Sequence, residues 1–259
     1  MTEPAPSNYP QRKVGYLVIG GEGHDMDYVR LELLRMLSIH EHLRIVVSAN
    51  YEDVAAIGDA EFLISYTSNV APSPKAEEAL NAFVTGGKRW LALHATNALY
   101  KFTSEGVAPR EDAPLFMETL GSQFVAHPRI EPFRVDIDDS DHPLVRGLNA
   151  FEAQDEIYLS RITGNPHIIL STRFSGEAPG FVDRGWPDND PRPVLYSHKV
   201  GRGEVVFFAL GHARGHYDAP HRTPYYPIVE RGSWVVPEFR EILRRAIIWT
   251  ATLESPATP

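Results

Sequence analysis

The chain has 259 residues, 43% of them hydrophobic, and a formal net charge of −9 at neutral pH. This size and apolar content supply a large buried core, and one α/β domain is the simplest arrangement. The acidic balance argues against a nucleic-acid partner, which would require a basic face. Eleven histidines and no cysteine exclude disulfides and thiolate chemistry. Any reaction must therefore use imidazole, carboxylate or hydroxyl groups.

The start of the chain is rich in proline and poor in apolar side chains. The sequence predicts a disordered tail over residues 1–12 and a single domain over residues 13–253. It contains neither the apolar core of a secretory signal nor a run of eighteen apolar residues. These features predict a soluble, cytoplasmic protein with no membrane partner. The oligomeric state is left open, a homo-oligomer included.

The first half of the chain alternates between strand and helix patterns. Strand patterns occupy residues 14–19, 43–47, 62–66 and 90–93. An apolar helix is predicted over residues 28–39, and a second over residues 74–84, where proline lies early and two glycines follow. Strands and helices in this order predict a doubly wound, mostly parallel sheet with helices on both faces.

The second half is less regular. Strand patterns lie at residues 133–137, 167–170, 194–197 and 204–210, the last two arranged as an antiparallel hairpin around a glycine-containing turn. A final helix carries an apolar stripe from Phe239 to Ile247. Residues 101–110 and 213–231 show no clear pattern, which favours binding loops or lids.

Three histidines each follow an apolar, strand-like run: His24, His94 and His212. Strand ends in an open α/β sheet line one crevice, so we expect these side chains to converge. The glycines before His24 lack the spacing of a dinucleotide-binding loop, and Asp25 is in position to cap the next helix. A plain glycine turn with a surface histidine is the alternative for His24.

His94 lies in the setting of a nucleophile elbow, at the tip of a strand among small residues, but the residue type is histidine. A histidine there can act as a base, a metal ligand or an orienting donor. A buried, hydrogen-bonded core histidine is the alternative. Two further histidines, His127 and His142, precede proline and are held in extended conformations. His142 follows an acidic run that favours a solvated turn, which leaves His127 as the stronger site candidate.

Asp155 and Glu156 are adjacent carboxylates, followed by Tyr158. Neighbouring side chains diverge on a strand or a helix, so we expect one carboxylate to act in a site and the other to brace it. A carboxylate near several imidazoles can serve as a general base or a metal ligand. A helix-end or surface pair is the alternative.

The densest cluster of candidates begins at His212. His212 and His216 have the i, i+4 spacing of metal ligands on helices. The surrounding glycines and Pro220 argue against a helix, however. We predict instead a loop that brings His212, Arg214 and Tyr217 to the mouth of the crevice.

Taken in order, these motifs resemble the ThuA-like (trehalose utilisation) family over about residues 13–249. They are Gly-x-x-x-His at 20–24, Leu-His-Ala at 93–95, Phe-x-x-His-Pro at 124–128, Asp-His-Pro-Leu at 141–144 with Gly-Leu at 147–148, Asp-Glu-x-Tyr at 155–158, Gly-His at 211–212 and Ile-x-Trp at 247–249. The resemblance implies a flavodoxin-like domain related to class I glutamine amidotransferases. It places His94 at the amidotransferase cysteine and His212 at its catalytic histidine. Without cysteine, amidotransferase activity is excluded.

The family is associated with bacterial sugar catabolism through 3-keto intermediates, so the resemblance implies a carbohydrate substrate and acid–base chemistry beside a carbonyl. In this hypothesis Glu156 or His94 is the base. The catalytic candidates are Glu156, His94, His212 and Asp155, with Asp155 orienting the others. The substrate-binding candidates are His24, His127, Tyr158, Arg214 and Tyr217, and His24, His127 and His212 are also considered as metal contacts.

The sequence identifies no cofactor, and a divalent metal ion is one candidate because the carbonyl oxygen needs a positive partner. A non-catalytic carbohydrate-binding or regulatory module is the competing hypothesis, since fold alone does not imply function. A Glu156→Gln substitution separates the two, because only an enzyme has turnover to lose.

Overall fold

The computed structural model describes residues 11–216, 218 and 228–252. Most of the predicted tail and Tyr217 therefore lie outside the described residues, and nothing in the structure bears on them. Within the described residues, strands and helices alternate through the first half of the chain, and strands dominate the second. In chain order they are β1 (Lys13–Gly21), α1 (Met26–Ser38), β2 (Leu43–Ser48), α2 (Val54–Asp59), β3 (Phe62–Ser68), α3 (Pro74–Thr85), β4 (Arg89–Leu93), β5 (Tyr100–Thr103), β6 (Gly106–Pro109), α4 (Pro114–Leu120), β7 (Ser122–Ala126), β8 (Glu131–Ile137), β9 (Phe151–Asp155), β10 (Leu159–Ile162), β11 (His167–Arg173), β12 (Gly176–Glu177), β13 (Gly185–Trp186), β14 (Pro191–Val200), β15 (Gly203–Phe208) and α5 (Pro237–Thr250).

The main sheet of the described residues has the strand order β2-β1-β3-β4-β15-β14-β11-β8-β9. The pairs from β2 to β15 are parallel, and the pairs from β15 to β9 are antiparallel. The prediction of a mostly parallel sheet is therefore wrong, because the sheet is mixed. Parallel neighbours need long crossovers such as helices, whereas β14 and β15 are joined by the two residues Gly201 and Arg202 and must run antiparallel.

Each face of the sheet carries its own hydrophobic core. Along β1, Tyr16 and Val18 enter one core, and Leu17 and Ile19 enter the other, because successive side chains of a strand point to opposite faces. The first core also contains buried residues of α2, α3 and α4, and the second contains those of α1 and α5. The strands between the two cores are buried on both faces, which explains their unbroken apolar runs.

Side chains cap the N-termini of α1, α2 and α3. Asp25 caps α1 by accepting a hydrogen bond from the Tyr28 amide at 3.0 Å, as predicted. Pro74 opens α3, whose preceding residue Ser73 caps the first turn. Among the described residues, no helix is long and apolar enough to cross a membrane.

Residues 101–110 were predicted to lack regular structure, and this is wrong. They form most of an antiparallel pair in which β5 and β6 are four residues each. Strands this short carry too few residues for a period-two pattern to stand out. The pair lies over the carboxyl ends of the parallel strands, because the Asn69 side chain, directly after β3, accepts a hydrogen bond from the Tyr100 amide at 3.0 Å.

Candidate functional site

Four side chains meet at the carboxyl edge of the parallel strands: His24, His94, Glu156 and His212. Each offers one nitrogen or oxygen atom, and these atoms all lie within 4.8 Å of one another. His24 follows β1, His94 follows β4, and His212 follows β15. These strands run parallel within one sheet, so their ends bring the three imidazoles together. We refer to these four residues as the histidine–glutamate cluster.

His94 is held in an unusual backbone conformation. Its φ is +45°, a region that residues other than glycine rarely adopt, and such strain is typical of functional sites. The ring is fully buried, and Nδ1 donates to the carbonyl oxygen of Ala209 at 2.7 Å. This bond places a proton on Nδ1 and turns Nε2 toward the cluster.

His24 faces His94 directly, with 3.0 Å between the two Nε2 atoms. The loop before His24 passes close to β3, because a Cβ atom on Gly21 would lie 1.9 Å from the carbonyl oxygen of Ser68. Only glycine fits there at the observed φ of +108°. Burial lowers the pKa of His24 to about 4, so its ring is neutral at pH 7 and can act as a ligand.

One ring nitrogen of His212 donates a hydrogen bond, and the other faces the cluster. Nε2 donates to Glu230 Oε2 at 2.8 Å, whereas Nδ1 is buried without a hydrogen-bond partner. That Nδ1 atom lies 3.3 Å from Glu156 Oε1. Burial opposes the imidazolium form, but Glu156 and Glu230 outweigh it and raise the pKa of His212 to about 9.

Glu156 is the centre of the cluster and is almost fully buried. Its oxygens lie 3.3 Å from His212 Nδ1, 3.5 Å from His94 Nε2, 3.7 Å from His127 Nε2 and 3.9 Å from His24 Nε2. Burial alone would raise its pKa, but the charges of His127 and His212 hold that pKa well below the ordinary value. Glu156 is therefore a carboxylate at neutral pH.

Asp155 points away from the cluster into the protein. Its carboxylate accepts hydrogen bonds only from backbone amides among the described contacts: Glu156 at 2.8 Å, Gly211 at 3.0 Å, His212 at 3.1 Å and Ser233 at 2.9 Å. These bonds join the end of β9, the segment after β15 and the turn before α5. The two adjacent carboxylates thus diverge, with Glu156 in the cluster and Asp155 as the brace.

Arg214 and Glu230 complete the charged surroundings. Arg214 donates to Glu230 Oε2 at 3.1 Å, to Glu156 Oε1 at 3.4 Å and to the Gly23 carbonyl oxygen at 3.2 Å. Sequence reasoning missed Glu230, which lies in a segment without a recognisable pattern. The one available signal was its position in a long loop after His212, the kind of loop that carries functional residues.

His127 and Tyr158 lie at the border of the cluster. His127 donates from Nδ1 to the Pro128 carbonyl oxygen at 2.7 Å, and its Nε2 lies 3.7 Å from Glu156 Oε1. The Tyr158 hydroxyl lies 3.3 Å from His94 Nε2. Burial and the neighbouring carboxylates raise the pKa of Tyr158 well above its ordinary value, so the phenol keeps its proton.

The other histidines of the sequence lie elsewhere. His142 packs near His167, with ring centroids 6.1 Å apart, in the predicted polar turn. His216 is exposed and the described residues before it, 211–215, form no helix; the cluster found among the described residues does not include it. Tyr217 lies outside the described residues.

Two cavities meet at Glu156. The wide cavity, of about 1260 Å³, includes Arg129, Ile130, Glu152 and Ile228 in its lining. The narrow cavity, of about 170 Å³, reaches under β5 and β6. His127, Glu156 and Arg214 line both, so a ligand extending from one cavity into the other passes the cluster.

Solved structures of similar fold include two ThuA-like proteins. One, from Parabacteroides merdae, is 16% identical, with 96% of this chain and 94% of that chain covered and a TM-score of 0.67. The other, from Bacteroides uniformis, is 16% identical, with 95% of each chain covered and a TM-score of 0.63. A β-galactosidase from Rahnella sp. R3 is 13% identical over 94% of this chain and 32% of that chain, with a TM-score of 0.56. At these identities the likeness concerns the fold.

No curated protein sequence matches the chain. The family model described as ThuA, trehalose utilisation, matches residues 16–224, a span that includes each member of the histidine–glutamate cluster. The resemblance noted in the sequence is thus confirmed by a match over most of the chain. The chain belongs to the ThuA (trehalose utilisation) family.

Proposed function

We propose that this protein is an enzyme of bacterial carbohydrate catabolism that binds a divalent metal ion at the histidine–glutamate cluster and acts on a 3-keto glycoside. The observation that carries the proposal is the convergence of three imidazoles and one carboxylate whose ligand atoms lie within 4.8 Å of one another. Three histidines and a carboxylate are ligands typical of zinc and other first-row divalent ions.

The distance between His24 and His94 fits a shared ion. Ligand atoms about 2.1 Å from one ion lie roughly 3.0–3.4 Å apart, and the two Nε2 atoms are 3.0 Å apart. Without an ion, this is the distance of an N–H···N hydrogen bond from His24 to His94. A cation that replaced the shared proton would be held by both nitrogens.

The hydrogen bonds on the outer nitrogens support the same interpretation. Metal-binding imidazoles usually donate their other N–H to a carbonyl or carboxylate, which fixes the tautomer. His94 donates to Ala209 and His212 donates to Glu230. The remaining nitrogen of His212, Nδ1, lies 3.3 Å from Glu156 Oε1, so it faces the carboxylate that would share the ion with it.

With Glu156 and His94 in the metal-binding set, the proton acceptor is better assigned to His127. A 3-keto sugar carries an acidic C–H bond beside its carbonyl, and His127 lines both cavities. When His127 takes this proton, the C–H electron pair forms a C=C bond and the carbonyl pair moves onto oxygen. A bound divalent ion supplies a positive charge that stabilises this oxygen.

Tyr158 and Arg214 complete the proposed roles. The Tyr158 hydroxyl keeps its proton at neutral pH and can donate a hydrogen bond to the developing oxyanion. Arg214 holds Glu156 and Glu230 in place through its two terminal nitrogens. Return of the proton to the former carbonyl carbon, with transfer of the neighbouring hydroxyl proton to the enolate oxygen, gives isomerisation. If the enolate instead reforms the carbonyl and the C=C bond shifts to the β carbon, the oxygen substituent there leaves with the proton from His127, which is elimination.

We also infer a flavodoxin-like, doubly wound origin for the parallel part of the sheet. Its order, β2-β1-β3-β4-β15, supports this because it corresponds to the 2-1-3-4-5 order of flavodoxin-like sheets. His94 then takes the place of the amidotransferase cysteine after β4, and its positive φ supports the comparison. A cytoplasmic location and a soluble sugar substrate belong to the same proposal.

The test combines metal analysis with a turnover assay on oxidised and unoxidised disaccharides. We expect one divalent ion per chain and turnover of the 3-keto substrate alone. Glu156→Gln should lower turnover at least 100-fold, whereas Glu78→Gln, an exposed change on α3, should leave it intact. Folded protein that binds no divalent ion and leaves 3-keto glycosides unchanged would contradict the proposal.

A further inference from the structure

The narrow cavity contains residues that the proposed reaction does not use. Besides the cluster, it is lined by the aromatic side chains Tyr100, Phe102, Phe124 and Phe181 and by the polar side chains Glu22, Ser68 and Asp218. Its volume of about 170 Å³ is small, which limits it to one ring-sized group rather than a whole disaccharide.

Ser68 is the polar residue that most needs a partner there. It ends β3 and is 1% exposed, and its hydroxyl is buried without a hydrogen-bond partner. Nearly all buried polar groups in folded proteins are hydrogen-bonded, and an exception calls for an explanation. Ser68 is among the residues that line the cavity, so a ligand bound there is the candidate partner for this hydroxyl.

The walls of the cavity are aromatic. Phe124 and Phe181 are buried and lie edge to face, with ring centroids 5.8 Å apart. Phe102 stands at the rim on β5, with 63% of its surface exposed, and contacts Tyr100 edge to face at 5.8 Å. Flat apolar rings of this kind pack against the C–H face of a sugar ring while polar groups reach its hydroxyls.

The charges of the cavity favour a neutral ligand. Glu22, Glu156 and Asp218 line it, and Arg214 is the one arginine or lysine among its described lining residues. Arg214 already contacts Glu156 and Glu230 at 3.4 and 3.1 Å. A phosphate group beside Glu22 or Asp218 would meet a like charge, which is unfavourable.

We propose that the narrow cavity is the binding subsite for one unphosphorylated pyranose ring, with Ser68 as the residue that recognises a ring hydroxyl and Phe102 as the residue that covers the ring. The inference rests on the proposed function, since the cavity shares His24, Glu156 and Tyr158 with the reacting centre. A ring held there presents its oxidised carbon to the cluster, and the remaining part of the substrate extends into the wide cavity.

The test measures binding of methyl α-D-glucopyranoside and its monodeoxy analogues by calorimetry, with zinc titrated separately into each protein. Ser68→Ala should weaken binding of the parent sugar about three- to tenfold, the effect of one hydrogen bond. This variant should bind the parent sugar and the analogue that lacks the recognised hydroxyl with equal affinity. Its thermal stability should stay the same or rise, because the substitution removes a buried hydroxyl that has no partner in the protein. Phe102→Ala should weaken binding of every analogue.

Two matched controls accompany these variants. Ser233→Ala also removes a buried hydroxyl without a hydrogen-bond partner, but outside the narrow cavity. Ile39→Ala removes an exposed apolar side chain at the end of α1. Both should bind the sugar as the parent protein does. Glucose 6-phosphate should bind at least tenfold more weakly than the methyl glucoside.

The outcomes separate this inference from the proposed function. Unchanged zinc binding together with the expected loss of sugar affinity supports the subsite. Normal zinc binding with no binding of the glucoside, or with equal affinity in Ser68→Ala and the parent protein, overturns the subsite and leaves the metal centre standing. Sugar binding without zinc binding supports the subsite and overturns the metal centre.

Discussion

His24 and His94 face each other with their Nε2 atoms 3.0 Å apart, although the sequence separates them by 70 positions. The two residues follow the ends of different strands, and His94 Nδ1 also donates a hydrogen bond to the backbone carbonyl of Ala209. Two imidazole nitrogens at this distance need a proton or a cation between them.

Glu230 should control metal affinity without binding the metal itself. It accepts the Nε2 proton of His212 at 2.8 Å, and loss of such a supporting carboxylate typically costs 10- to 100-fold in affinity. We expect Glu230→Gln to weaken zinc binding by about this factor in a competitive chelator titration. Glu78→Gln is the control, and equal affinities in the two variants would rule out the role of Glu230.

His127 should be required for turnover and dispensable for metal binding. In His127→Gln we expect kcat to fall by roughly 10²- to 10⁴-fold, as for loss of a general base, with metal content unchanged. His167→Gln provides the control, because His167 is an exposed residue that pairs with Asp139. A loss of bound metal in His127→Gln would instead place His127 among the ligands.

Asp155 should contribute mainly to stability. Its buried carboxylate accepts four backbone amide hydrogen bonds from three separate segments, and hydrogen bonds to charged groups are worth about 1.5–3 kcal/mol each. We expect Asp155→Asn to lower the free energy of unfolding by about 3 kcal/mol in urea titrations. Asp59→Asn, at an exposed position, should change it little. A stable Asp155→Asn variant that has lost only turnover would show a direct chemical role.

Glu241 should stabilise the fold in a pH-dependent way. Its hydrogen bonds with Arg244 and Arg245 lower its pKa from 4.5 to about 2. A lowered pKa in the folded state contributes stability above the unfolded value and loses it as pH falls. The stability difference between the parent protein and Glu241→Gln should therefore be constant above pH 5 and disappear between pH 4.5 and 2. A difference that persists at pH 2 would contradict the assigned cause.

The sequence predicts the parallel half of the fold well because that half is buried on both faces. The run that forms β1 is continuous and apolar and ends at Gly20 and Gly21, and Gly86 and Gly87 precede β4. The short elements α2 and α4 escaped prediction, since six or seven residues carry less than two helical turns of pattern. The antiparallel extension of the sheet depends on long-range pairing that local patterns do not record.

Much of the site could be predicted from the sequence because strand direction and proline constrain the backbone of its histidines. His24, His94 and His212 follow strands whose direction fixes where they meet, and the proline after His127 restricts its backbone. Which of the two adjacent carboxylates enters the cluster could not be predicted, because the choice depends on the amides that surround Asp155. The role of Glu230 could not be predicted either, since it depends on the conformation of a loop.

The central claim is that His24, His94, Glu156 and His212 bind one divalent ion. The most direct test is a calorimetric titration of chelator-treated protein with zinc, performed on the parent chain and on His94→Ala. We predict one ion per parent chain and an affinity at least 100-fold weaker in His94→Ala. A parent protein that binds no zinc, or a His94→Ala variant that binds it equally well, would contradict the account.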